Sequence, residues 1–411
     1  MILFEDPRFF ILLLAAVIPA LVLGIMEKTS KYYALAVSIM FIWLAAGAGR
    51  MMLVYLSAFC VLEYAVLRLW LKIIEKQGRS GRLYVVFLIL AMAPLVLSKL
   101  SGQFHLNVFG FIGISYMTFK ILQMVIEIYD GIIKKIPVFD YFSFLLFFPS
   151  VLSGPIDRSR RYGEDLARVR SRKDYLEMAG SGIFQIMTGA LYKFVLAAAI
   201  YQALLWVGEK PGFINALIYM YSYGFYLFFD FAGYSRMAIG TAYIFGVEMP
   251  QNFNAPFKSR DIKDFWDRWH ITLSHWFRDY LFSRIMMRWI RNKRFNSRLT
   301  AASCAFMINM TVMGLWHGLD IYYIIYGLYH GMLLAVTEIW QKKSLFYKKH
   351  KKDKSFIAVE TVITFNLVMF GLFIFSGHFT EIIGLTHHAA AAGGHSFVMK
   401  HLHDLLLHTI H

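Results

Sequence analysis

The chain is expected to be an all-α polytopic membrane protein, and three observations carry that expectation. Of its 411 residues 58% are hydrophobic and only 17% are charged. The apolar residues fall into long blocks rather than alternating or heptad patterns, and basic residues collect between the blocks. A helix needs about 17–25 mostly apolar residues to cross a hydrocarbon core roughly 30 Å thick. Helices satisfy every backbone polar group inside the membrane, which an open sheet or irregular chain cannot do.

The blocks in order are residues 9–26, 32–46, 51–74, 84–97, 108–129, 175–206, 213–232, 300–316, 321–340 and 357–375. With uncertain ends this makes about ten or eleven spans. The first has no basic region before it and no small-residue cleavage site after it, so it reads as a span rather than a signal peptide. A net charge of +16 raises nucleic acid as a partner, but the charge lies mostly in residues 158–173, 258–298 and 342–354, flanking apolar blocks. That is the pattern of cytoplasmic loops. With the basic segment 76–82 also cytoplasmic, both termini are expected outside. The loops then suit an acidic partner protein or anionic headgroups. Cys60 and Cys304 lie in apolar runs without ligand spacing, so no disulfide framework or zinc site is indicated.

Two regions do not read as simple spans. FDYFSFLLFFPSVLSGPIDRSRR, from Phe139, contains Pro149, Gly154 and Pro155 and is basic on both sides. It is expected to be a re-entrant element surrounded by protein or a water-filled cavity. In the segment from Asp261, Phe265, Trp266, Trp269, Trp276, Phe277 and Tyr280 recur at helical spacing among charged residues, which predicts an interfacial amphipathic helix.

No repeat or Gly/Ser-rich linker divides the chain. The expected organisation is one integral-membrane domain, residues 1–411: N-terminal spans to 112, a core of 113–340, a basic loop and last span at 341–376, and a tail at 377–411. The tail is rich in histidine, including His387, His388, His401, His403, His408 and His411. His401, Asp404 and His408 would share a helical face, although a surface tail is the plainer reading.

Candidate chemistry centres on histidine. His317, in MGLWHGL, closes an apolar run between Gly314 and Gly318, whose small size lets backbone or ligand approach the imidazole. Intramembrane ionisable residues are costly and default to function. A polar packing contact with a neighbouring helix is the competing reading at this stage. His330, in LYHGM, reads as a satisfied core histidine. His270, in DRWHITLSHWF, approaches His317 if its helix dips into the core and is an ordinary solvated residue otherwise. GxSxG, Walker-type and HExxH motifs are all absent. Glu63, Glu127, Asp130, Asp230 and Glu338 could form a transporter's ion path, or simply pair with Lys120, Lys193 or Arg236.

GISYMTFKILQ (113–123), FFPSVLSGPIDRSRRY (147–162), FDFAGYSRMAIG (229–240), NFNAPFKSRDIKDFWDRWHITLSHWFRDY (252–280) and MGLWHGL (313–319) together resemble the membrane-bound O-acyltransferases. The likeness runs in order from about residue 113 to 340. It is most similar to the branch that moves D-alanyl groups to teichoic acid, with exopolysaccharide acetylation such as that of alginate as the neighbouring alternative.

The resemblance implies helices around a central tunnel. The WHG histidine, here His317, would be the general base, and the upstream polar residue, here His270, its hydrogen-bonding or positioning partner. It implies no intrinsic cofactor or metal. The donor would be a thioester on the phosphopantetheine arm of an acidic carrier protein. The acceptor would be a teichoic-acid hydroxyl or an accessory extracytoplasmic acyl-accepting protein, with membrane lipid around the enzyme and no nucleic acid. No Ser or Cys nucleophile pairs obviously with a histidine, which disfavours a covalent acyl-enzyme.

Overall fold

The computed structural model describes residues 1–47, 49–103, 110–111, 113–207 and 210–385. The expected features of the His-rich tail lie outside these residues. Helices and connecting loops account for the described chain, with no strand among the described residues. Six helical stretches are long and apolar enough to cross a membrane: Pro7–Ile25, Arg50–Gln77, Gly81–Ser101, Arg172–Val207, Arg298–His317 and Lys354–Phe375. Lys31–Ala46 is apolar but shorter. Helices also cover Ile114–Asp130, Phe213–Ile244 and Ile321–Lys343. The described chain divides into two compact units, Met1–Leu191 with Gly233–Gln251, and Tyr192–Ala232 with residues 252–385.

The first unit contains α1 (Pro7–Ile25), α2 (Lys31–Ala46), α3 (Arg50–Gln77), α4 (Gly81–Gln103), α5 (Ile114–Asp130), α6 (Val138–Leu146), α7 (Ser159–Ala167) and α8 (Arg172–Ala190). Every residue of α5 from Ile114 to Ile128 is buried, so the protein sheathes this helix on all faces. Of the re-entrant expectation, the part that the structure bears on is that protein surrounds the element. At nine residues α6 is too short to span, and Tyr141, Phe144, Phe147, Phe148, Val151 and Leu152 are all buried by protein.

Lys120 on α5 explains how this element ends inside the unit. Its buried Nζ donates to the carbonyls of Phe144 (2.9 Å) and Leu145 (3.4 Å) and to Ser150 Oγ (3.0 Å). The Lys120 amine thus donates to carbonyls that the helix end leaves open. The SGPID turn packs on itself, since a Cβ at Gly154 would overlap the Pro149 carbonyl. Asp157, in that turn, accepts from the Arg158 backbone N–H at 2.6 Å and pairs with Arg161 at 2.5 Å. Burial raises its pKa, an effect the Arg161 charge opposes.

The second unit contains α9 (Ala198–Val207), the N-terminal part of α10 (Phe213–Ile244), α11 (Ile262–Trp266), α12 (Ile271–Phe277), α13 (Ser283–Arg291), α14 (Arg298–His317), α15 (Ile321–Lys343), α16 (Leu345–His350), α17 (Lys354–Phe375) and α18 (His378–Ile382). The amphipathic helix expected from Asp261 is instead broken. After α11 the chain turns at 267–270, resumes as α12, loosens into a π-helical stretch at Arg278–Phe282 and continues as α13. Phe265, Trp266, Trp269, Trp276 and Phe277 are buried, so they are core residues rather than the apolar face of an interfacial helix. Asp261 caps α11 through the backbone N–H groups of Lys263 and Asp264, and Lys263 pairs with Glu338 of α15. These contacts hold the broken segment against α15.

Candidate active site

Helices α14 and α15 form a hairpin that meets backbone to backbone. A Cβ at Gly314 would overlap the Tyr323 carbonyl, one at Gly327 the Met310 carbonyl, and one at Gly331 would crowd Met307. Small residues at this spacing let two membrane helices approach closely. His317 is the last residue of α14, and Gly318 follows it in an extended conformation. A Cβ on Gly318 would run into the Tyr323 ring. The glycines around His317 therefore serve close packing by α15, where the sequence left open whether backbone or ligand would approach.

That packing surrounds the imidazole with rings. His317 is half-buried, and its ring centroid lies 4.6 Å from Trp316, 4.9 Å from Phe375, 6.1 Å from Tyr323 and 6.4 Å from Tyr326. Tyr323 is nearly parallel to it, at 24°, while Phe375 and Tyr326 present edges. Such surroundings restrict the ring's orientation while leaving part of it accessible.

His270 is buried, 5% exposed, at the N-cap of α12 with φ +43° and ψ 52°. A non-glycine residue in this left-handed region is strained and persists only where its surroundings hold it. Asn252 supplies much of the restraint. Its carbonyl accepts from the Ile271 N–H at 2.9 Å, and its Oδ1 accepts from Thr272 Oγ1 at 2.6 Å. The Asn254 N–H also donates to the Arg268 carbonyl at 3.0 Å. The turn aims the imidazole at Phe231, 4.7 Å away between centroids, and leaves Nδ1 buried without a hydrogen-bond partner. Burial lowers the His270 pKa to about 3, so its imidazole stays neutral at working pH.

His330 is in the core as expected, but it is not satisfied. It is fully buried, and neither ring nitrogen has a hydrogen-bond partner. Its cage consists of Phe265, Trp266, Tyr326 and Tyr329. A Cβ on Gly371 would overlap Nε2, so the missing side chain there makes room for the imidazole. Tyr326 touches both His317 and His330. Rings continue from His330 through Phe265, Trp269, Phe253 and Phe231 to His270. One aromatic network in the second unit thus links all three histidines.

The acids take other roles. Lys193 binds Asp230 at 2.5 Å, and Glu338 pairs with Lys263. Asp130 is exposed at the end of α5, whereas Glu63 is buried with Oε2 unpartnered, and Glu127 is buried. Arg236 donates to Gln185 at 2.7 Å rather than to an acid. No group of three or more potential metal ligands occurs among the described residues. Sequence reasoning missed Asn252 and Tyr326 as site-shaping residues. Asn252 lay within a recognisable motif, but nothing local announced that it would hold a turn 18–20 residues later.

The family model described as the membrane-bound O-acyltransferase family matches residues 46–375. A teichoic acid D-alanyltransferase of Bacillus subtilis is 37% identical over 383 residues, covering 90% of this chain and 96% of that protein. Another so named, from Streptococcus thermophilus, is 37% identical over 397 residues, covering 92% of this chain and 96% of the relative. A probable alginate O-acetylase of Pseudomonas syringae pv. tomato is 32% identical over 287 residues, 69% of this chain and 52% of that protein.

Proposed function

The chain belongs to the membrane-bound O-acyltransferase family, and we propose that within it this protein transfers D-alanyl groups to teichoic acid. The observation that carries the choice of substrate is the 37% identity to a teichoic acid D-alanyltransferase over nine-tenths of the chain. The donor in this proposal is a D-alanyl thioester on a phosphopantetheine arm, delivered by a cytoplasmic acidic carrier. The acceptor hydroxyl arrives from the opposite side.

A thioester is already activated, so catalysis consists mainly of orienting an alcohol and removing its proton. In the proposed step the acceptor oxygen attacks the thioester carbonyl, and the new C–O bond forms as the C–S bond breaks. His317 takes the hydroxyl proton and returns it to the departing sulfur. Its half-buried ring, held among Trp316, Tyr323, Tyr326 and Phe375, supports that assignment. His270, neutral and fixed by Asn252, is proposed as a positioning residue acting through the aromatic network.

The carrier's proposed docking surface is α13 and the turn after it, where Arg288, Arg291, Lys293 and Arg294 are exposed beside Met287 and Ile290. Many basic residues elsewhere are engaged internally, including Arg161, Arg170, Arg260, Lys263 and Arg268.

The deciding experiment uses the full chain in membrane vesicles with a carrier bearing labelled D-alanine. Label should pass to membrane acceptor with the parent protein and stop with His317→Ala, while carrier binding is unchanged. Transfer by the variant at the parental rate would remove His317 from the mechanism. Acetyl transfer to a polysaccharide is the second reading, favoured by the alginate O-acetylase match. A parent protein that moves acetyl but not D-alanyl groups would establish it.

A further inference from the structure

We propose that the Asp320 carboxylate, held by Tyr322 three residues beyond His317, receives the ammonium group of the donor and so selects an aminoacyl group over a plain acyl group. This rests on the D-alanyl reading above. The two kinds of donor differ at the carbon next to the reacting carbonyl, where D-alanine carries a positive charge. A group that senses the difference must therefore lie close to the base.

Asp320 meets that requirement. It is three residues beyond His317, so the extended reach of the chain keeps the two Cα atoms within about 10 Å. It occupies the N-cap of α15, where aspartate ordinarily accepts from a backbone N–H of the first turn. Here the side chain makes no capping bond, and Oδ2 instead accepts from the Tyr322 hydroxyl at 3.2 Å. The Tyr322 ring lies 4.4 Å from that of Tyr323, which in turn lies nearly parallel to His317. Carboxylate, tyrosine pair and imidazole thus form a contiguous group.

Two further observations point to a ligand. Asp320 is exposed and forms no ion pair among the described residues, which leaves its carboxylate open to a cation. Tyr223 is 3% exposed with its hydroxyl unpartnered, and its electrostatic neighbours are Tyr219, Tyr226, Tyr322 and Tyr323. A buried hydroxyl without a partner is costly unless a ligand completes it. An ammonium supplies hydrogen-bond donors, is attracted to the carboxylate and is favoured by tyrosine faces.

The test compares carrier loaded with D-alanyl phosphopantetheine and carrier loaded with acetyl phosphopantetheine. The full chain is used in vesicles containing acceptor. The parent should prefer D-alanyl. In Asp320→Asn, kcat/KM for the D-alanyl donor should fall about 10- to 100-fold, as for a lost hydrogen bond between charged groups. The rate with the acetyl donor should stay near the parental value. Asparagine is as good an N-cap as aspartate, so loss of helix stability does not explain such a split. Asp320→Glu should recover part of the preference.

An equal fall with both donors, or an unchanged preference, overturns the inference. Should Asp320→Asn fail to fold, Tyr322→Phe keeps the ring and removes only the hydroxyl. Its D-alanyl preference should drop, and unchanged selectivity there is equally fatal. A parent that transfers no D-alanyl group at all sinks the functional proposal itself. A parent that transfers both donors equally leaves that proposal standing and removes this one.

Discussion

At the level of single residues, the two candidate histidines, His317 and His270, stand in different environments and should fail differently. His317 is half-buried and partly accessible, as a group that meets substrate must be. His270 is buried in a left-handed turn and held neutral. His270→Asn should fold, because asparagine tolerates that conformation, while lowering kcat more than it changes KM for the carrier. The imidazole of the folded parent resists protonation, whereas the unfolded chain takes up a proton below pH about 6.5. Its contribution is therefore present above pH about 6.5 and is lost as pH falls toward 3. Melting at pH 7 and pH 5 should show a larger acid-induced drop for the parent than for His270→Asn. An equal drop would contradict the burial argument. His317 stood out in the sequence as an ionisable residue closing an apolar run, but that pattern alone left packing and catalysis open, and the resemblance to the family is what pointed to catalysis. Asn252 was not legible, because its work is backbone pairing with a turn far along the chain. His330 was placed in the core but wrongly read as satisfied, since hydrogen-bond partners are not visible in a single sequence.

At the level of elements, the hairpin of α14 and α15 sets where His317 sits. Its glycines leave no room for side chains at Gly314 and Gly327. Gly327→Ala should push the helices apart at the Met310 carbonyl and cost about 1–3 kcal/mol, as overpacking of a well-packed core does. Thermal unfolding of the purified protein in detergent measures it, and an unshifted melting temperature would contradict the close approach. That the short element at 138–152 is not a simple span was legible, because its prolines and basic flanks conflict with one. The break at 267–270 was not legible. The aromatic residues of α11 and α12 face protein on both sides of the turn, so their helical spacing continues in the sequence while the helix itself does not. Periodicity reports which residues are buried, and here it could not report that the axis changes direction.

At the level of the whole molecule, the excess of positive charge marks loops as a class, but it does not show which charges remain available to a partner. The block at 258–298 illustrates the difference. Arg260, Lys263 and Arg268 in its first part pair with Glu360, Glu338 and Asp264. Arg288, Arg291, Lys293 and Arg294 in its second part are exposed. Paired charges offer a partner little net field, while an exposed cluster steers an acidic protein and is screened over about 8 Å at physiological ionic strength. Reversing Arg288 and Arg291 to Glu should therefore raise KM for the acidic carrier about tenfold or more, because like charges then face each other. The rate at saturating carrier should stay near the parental value, since neither residue belongs to the His317 surroundings. Added salt should raise KM for the parent and lower it for the reversed variant, where screening relieves repulsion. Reversing Arg260 instead would break a pair with Glu360 and should lower the melting temperature. If both reversals changed only stability, carrier recognition would have to be sought on another surface of the chain.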